Sequence, residues 1–443
     1  MDKFLVVFTS IIILLIAYKV YVAINGKIRI LTISLFFLLS FIAFAYIGSI
    51  LLNICIIEPE YVRGFYQSPE YIFKIWTLLS ISLVSILLGL IIARSTFSSL
   101  NVKKICRDVY FSNISLPHKA RTSKIYLLII VLLFFSFLLL IKYRNILGNL
   151  PIENIFSRNI DQHTLAIFRS DATNNFVGKL YRYHLIIKTL PLLLLIIVSF
   201  IKRNGIAKWG WLYYFLLVYN VFTSFMTLQK APILQLVIIL AIIQFFINTN
   251  VSIKNLVKIG LLTISLIIFM YVFFGRQQNI SIILSTALHR IFIGSVAPMF
   301  WYVKYVEEFG FLNGLTFPNP AGIFPFEHVF LTVEIAEYAG LEKFGSEVVG
   351  SMPTVYVGEL YVNFGTAGTI IGSLLVGYII QSMDLIYLSL LAKRKYVLYL
   401  SFYIYYIYYF SQYSYTSISG LFVDFEFYLP LMLLLLIKSS FKK

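Results

Sequence analysis

Apolar residues stand in long, nearly unbroken runs, separated by short polar turns that are mostly basic. Several runs reach roughly 18 to 22 residues, enough for a helix to cross a ~30 Å hydrocarbon core. In chain order they predict eleven spans, within a range of 10–12: residues 4–24, 30–52, 74–93, 125–141, 185–201, 209–228, 232–247, 259–275, 367–383, 396–410 and 422–437. The first run is long for a signal-peptide core and lacks an A-x-A-like end, so it reads as a retained span. The expected fold class is an all-α polytopic membrane protein, a single integral membrane domain over residues 1–443.

The two longest connections are residues 142–184 and 276–364. Prolines at 318, 320, 325 and 353 and repeated glycines break any long helix in the second. Aromatic and aliphatic residues persist through it, which predicts a folded loop rather than a disordered one. Residues 284–303 within it form a candidate re-entrant or additional membrane helix.

Composition supports the membrane reading and then orients it. Charged residues make up 12% of the chain, against about a quarter in a soluble domain. The net charge of +17 would suggest nucleic acid, but much of it sits in short turns between spans, as membrane orientation requires, so no nucleic-acid partner is expected. The basic turns define a cytoplasmic side, on which Asp108 and Asp384 are the only acids. The N-terminus and both long loops then face outward and the C-terminus inward. Cys55 and Cys106 fall on opposite sides, so neither a disulfide between them nor a cysteine metal site is expected.

The chain has no G-x-x-x-x-G-K-[ST], H-E-x-x-H or G-x-S-x-G motif and no D-x-D pair, so no metal is indicated. Asp424–Glu426 (DFE) reads as a wetted helix start, and Lys19 and Lys188 as span-end residues that snorkel. Missing charges near the span centres count against an ion-coupled transporter. What remains is arginine at the outer face. Arg158, Arg169 and Arg182 in the first loop, with Arg276 and Arg290 in the second, carry guanidinium groups suited to bidentate binding of a diphosphate. The plainer alternative is that each anchors a loop end at the headgroups. Arg290 stands out because it interrupts an apolar stretch.

Glu359, in GELYVNFG at the membrane margin, is the leading carboxylate and a candidate general base, with a simple arginine pair as the alternative. Glu327 and His328 in PFEHVF come second, and His289 is a candidate to orient a group beside Arg290. Glu334, Glu337, Glu342 and Glu347 read as a solvated helix face. Tyr302, Tyr305, Tyr338, Tyr356 and Tyr361 suit either sugar stacking or the membrane–water interface.

The segment SMPTVYVGELYVNFGTAGTIIGSLLVGYII, the early segment SPEYIFKIWTLLSISLVSILLG and the two arginine-bearing outer loops together resemble the Wzy-type O-antigen polymerase family. Residue-level likeness lies around 68–89, 158–183, 276–294 and 350–377; some members carry Arg-x10-Gly in the first loop, whereas Arg158 is followed at that spacing by Arg169. The resemblance implies a fold like that of lipid-sugar-dependent (GT-C-like) glycosyltransferases and a multi-pass inner-membrane enzyme of lipopolysaccharide biosynthesis working at the periplasmic face. It implies a reaction in which the growing glycan on undecaprenyl diphosphate is transferred onto a fresh lipid-linked repeat unit, without cofactor or metal. It adds Tyr361 and Asn363 as motif residues, and a chain-length regulator and a flippase as expected partners alongside the bilayer. An O-antigen ligase-like transferase and a lipid-linked oligosaccharide flippase or transporter are the competing readings.

Overall fold

The computed structural model describes residues 3–26, 31–54, 68–98, 100, 119–154, 180–202, 207–247, 265, 288–319, 322–340, 351–394, 397–421 and 424–441. Among the described residues the chain is helical and contains no strand. The helices are α1 (Lys3–Asn25), α2 (Ile33–Ile54, with a π-helical turn at Ile42–Tyr46), α3 (Pro69–Thr96), α4 (Lys119–Leu147) and the short α5 (Pro151–Asn154). They continue with α6 (Leu180–Ile201), α7 (Ala207–Phe225), α8 (Lys230–Ile247), α9 (Met299–Phe309) and α10 (Leu331–Tyr338). The last three are α11 (Tyr356–Arg394), α12 (Val397–Gln412) and α13 (Phe425–Phe441).

Six of these, α1, α2, α3, α4, α6 and α11, are long and apolar enough to cross a membrane. Four more, α7, α8, α12 and α13, coincide with predicted spans, while the span expected over 259–275 falls outside the described residues apart from residue 265. Large apolar side chains stay exposed on α1 (Phe4, Leu15), α4 (Leu127, Phe134) and α7 (Trp211, Val218). A soluble protein would bury such faces; a helical membrane protein turns them to lipid.

The bundle is built on close contact between α3 and α11. A Cβ at Gly89 would lie 2.1 Å from the Leu374 carbonyl oxygen, and one at Gly377 would lie 2.2 Å from that of Ile86. Two backbones approach this closely only where side chains are absent, the small-residue packing expected of membrane helices. Beside the crossing, the Ser82 hydroxyl is 2.9 Å from the Tyr356 hydroxyl and 2.8 Å from that of Ser373. From Val397 to Ser411 every residue of α12 is buried, making it the enclosed helix of the bundle.

Three charged groups differ from their expected settings. Asp384 does not lie in a turn beyond a span ending at 383: α11 continues to Arg394, and Asp384 is 1% exposed. Its carboxylate accepts from Ser34 Oγ (2.6 Å), Tyr403 Oη (2.7 Å) and the backbone N–H groups of Ile33 and Ser34 (both 3.3 Å). Those N–H groups open α2, where a helix leaves donors unsatisfied and favours a negative charge. Asn25 and Gln381 exchange amide hydrogen bonds beside it, closing a polar knot between α1 and α11. Lys188, expected to snorkel, instead lies 3.4 Å from Glu426, and both are largely buried. The DFE stretch is therefore no wetted helix start at Glu426, because α6 packs against α13 there.

Candidate functional site

The site is organised by the first two turns of α11, which begins at Tyr356, ahead of the span start expected at residue 367. Gly365 breaks its helical geometry with φ 65° and ψ −154°, a conformation open essentially to glycine alone. The break frees carbonyls that a continuous helix would satisfy internally. Two are taken up by the neighbouring loop: Leu312 N–H donates to the Val362 oxygen (3.0 Å) and Asn313 N–H to that of Asn363 (3.1 Å). The Asn363 side chain completes the seam. Its Oδ1 accepts from Gly314 N–H (2.8 Å), and its Nδ2 donates to Thr316 Oγ1 (2.7 Å) and to the Glu359 carbonyl (2.8 Å).

One turn earlier, Glu359 is 4% exposed. Its Oε2 accepts from Ser417 Oγ (2.7 Å), Ile418 N–H (2.9 Å) and Ser419 N–H (3.3 Å). Its Oε1 accepts from Thr316 Oγ1 at 3.1 Å. The carboxylate thus gathers the 311–317 loop, α11 and the turn after α12. Among the described residues its partners are hydroxyls and backbone N–H groups, and no basic residue bonds it. A carboxylate oxygen offers about two lone pairs. Oε2 is saturated, while Oε1 keeps one acceptor position beyond Thr316.

Glu359 lines a cavity of about 240 Å³, together with Tyr302, Thr316, His328, Thr354, Ser417 and Ser419 and the 329–332 stretch. His328 donates from Nδ1 to the Phe317 carbonyl (3.0 Å), since a carbonyl only accepts, and the edge of its ring meets Phe330 with centroids 4.6 Å apart. Tyr302 Oη donates to the Met352 carbonyl (2.8 Å) and Thr354 Oγ1 to that of Ser295 (2.8 Å), fixing the walls. Among the described residues the lining offers one carboxyl group, hydroxyls and an imidazole, and no lysine or arginine. Such a surface suits a ligand that presents hydroxyl groups; a diphosphate needs cations.

The structure brings Glu359, Asn363 and His328 together and leaves other predicted residues elsewhere. Glu327 is exposed and does not line the cavity. Arg290 is exposed on the π-helical turn His289–Ile293, with His289 beside it; that turn leads into Ser295, whose oxygen also accepts Val355 N–H (3.1 Å). Tyr361 is buried away from the cavity, under Lys74 Nζ at 5.3 Å from its ring centroid. Lys74 also pairs with Glu307 at 2.9 Å, and Glu307 accepts from the Tyr71 hydroxyl, tying α3 to α9. Arg158, Arg169 and Arg276, with Glu342 and Glu347, lie outside the described residues, as does the side chain of Arg182. Among the described residues no cluster of metal-ligating side chains occurs.

Sequence reasoning missed Thr316, Ser417 and Ser419. The signal available was the hydroxyl-rich turn YSYTSISG, which reads as a plain connection between two spans. No family model, curated protein or solved structure matches the chain, so its function is read from the residues themselves.

Proposed function

We propose that this protein is a metal-independent membrane glycosyltransferase of the Wzy polymerase type, with eleven spans, in a bacterial inner membrane and with the Glu359 cavity facing the periplasm. It extends undecaprenyl-diphosphate-linked oligosaccharide repeats into O-antigen or a related surface polysaccharide. The observation that carries the reading is a buried carboxylate with one free acceptor position in a hydroxyl-lined cavity of about 240 Å³, whose described lining includes no lysine or arginine. The cavity takes the sugar end of the incoming lipid-linked repeat. Glu359 Oε1 accepts the proton of the attacking hydroxyl as its oxygen bonds the anomeric carbon of the growing chain. The bond from that carbon to the diphosphate breaks, and undecaprenyl diphosphate leaves with the electron pair. Arginines carry the leaving charge in place of a metal, Arg290 and Arg276 from the second loop and Arg158, Arg169 and Arg182 from the first.

Purified protein incubated with lipid-linked repeat tests the reading directly. Chain growth is the expected result, lost in Glu359→Gln and in Arg290→Ala while both variants remain in the membrane. Near-normal polymer length in both variants rules out this site. Transport without growth, or transfer only to a lipid A-core acceptor, overturns the polymerase in favour of a flippase or a ligase.

A further inference from the structure

We infer that the aromatic loop between α9 and α10 is seated in the lipid bilayer at the boundary between headgroups and acyl chains. Residues 309–326 contain no Asp, Glu, Lys or Arg, yet beyond Phe309, the last residue of α9, the described ones form no helix apart from isolated turns. Their large apolar side chains point outward: Ile323 is 74% exposed, Phe309 60%, and Phe311 and Phe324 50% each, with Phe330 just beyond at 67%. So many exposed large apolar side chains on one short loop mark a surface that meets something other than water.

Continuity with α11 identifies what it meets. The Phe311 ring lies over the Gly365 break, so close that a Cβ there would be 2.9 Å from Phe311 Cζ. Phe317 stacks on Phe364 with centroids 6.1 Å apart. Phe364, itself exposed, opens the exposed stripe that continues through Ile371 and Leu375 along a helix long and apolar enough to span the membrane. The loop surface and the lipid-facing stripe are one surface, so the same solvent covers both.

The backbone is prepared for a drier setting. Asn319 donates from Nδ2 to the carbonyls of Phe324 (3.0 Å) and Phe326 (2.6 Å) and accepts Phe324 N–H at 2.9 Å. Leu315, Phe317 and Val329 N–H groups are bonded within the loop as well. Irregular backbone is excluded from the hydrocarbon interior but tolerated where its polar groups are paired and water lies within reach, which sets the depth at the boundary. The acids Glu334 and Glu337 stand exposed on α10, where water is required.

Depth-sensitive spin labelling of the full-length protein in phosphatidylethanolamine–phosphatidylglycerol vesicles tests this. Single cysteines are introduced as Phe324→Cys and Phe330→Cys in a Cys55→Ser/Cys106→Ser background, with Leu375→Cys and Glu337→Cys as lipid and water references. The expected result is that labels at 324 and 330 collide severalfold more with oxygen than with a water-soluble nickel chelate, as at 375, and that the ratio reverses at 337. Labels at 324 and 330 that behave like 337 overturn the inference in favour of water. Labels shielded from both reagents overturn it in favour of a covering protein. The readout requires no catalysis, so it stands apart from the proposed activity.

Discussion

At the scale of single residues, the buried carboxylates Glu359 and Asp384 share a logic that Glu426, paired with Lys188, does not: among the described residues each is surrounded by hydroxyls and backbone N–H groups rather than by cations. Such a group meets its donors in only one geometry, so it fixes the elements that supply them. Asp384→Asn keeps the volume but replaces one carboxylate oxygen by an amide donor, which then faces the N–H group of either Ile33 or Ser34. The expected cost is about 1–3 kcal/mol for donors left unmet in a buried site. It is read as a lowered midpoint of thermal unfolding in detergent, with Asp384→Glu also destabilised because the longer side chain overfills the knot. An unchanged midpoint in the Asn variant would show that the knot does not anchor α2. Asp384 was legible as an acid in the sequence; its burial was not, because it follows the last apolar residue of its run and looks like the start of a polar turn.

Among the elements, the decisive contact is the crossing of α3 and α11. Gly89 and Gly377 read in the sequence as ordinary glycines in apolar runs, and nothing there pairs them. In the bundle each leaves room for the other helix's carbonyls. Gly89→Val therefore forces the helices apart rather than filling a gap. Overpacking typically costs about 1–3 kcal/mol, and more where the obstacle is backbone, as here. The expected outcome is loss of monodisperse protein on size-exclusion chromatography, against a wild-type profile for Gly210→Val, where the added atom meets nothing within 4 Å. The break at Gly365 is the second element-level feature. Prolines and glycines signalled an irregular loop before the span, but the first turns of α11 belong to the helix, and the loop docks on the carbonyls that the break releases.

Across the whole molecule, the end that carries the cavity is also tied together by Glu307, which joins α9 to α3 through Tyr71 and Lys74. The Tyr71 hydroxyl, with help from Lys74 and against burial, holds the Glu307 carboxyl below its ordinary value. A carboxyl depressed in the folded state contributes stability that is fully present above its unfolded value of about 4.3 and is lost as pH falls through the folded value. Thermal midpoints measured in detergent are thus expected to fall on acidification below about pH 4, with a shallower fall in Glu307→Gln. Because the pair is partly exposed, the difference is small and shrinks further at high salt. A steeper acid loss in the Gln variant would contradict the assignment.

The sequence by itself determined that this is a helical membrane protein and where most of its helices lie. A helix in lipid satisfies its backbone locally, so a run of apolar residues is both the necessary and nearly the sufficient signal. It also singled out Glu359 and His328, whose residue types stand out against an apolar background, while Asn363 came from the motif resemblance. Only the tertiary structure decided what those groups face. Ser417 reaches Glu359 across 58 positions and Ser34 reaches Asp384 across 350. Which distant hydroxyl satisfies a buried charge depends on how helices pack, and packing follows from glycine contacts and breaks that carry no periodic signature along the chain.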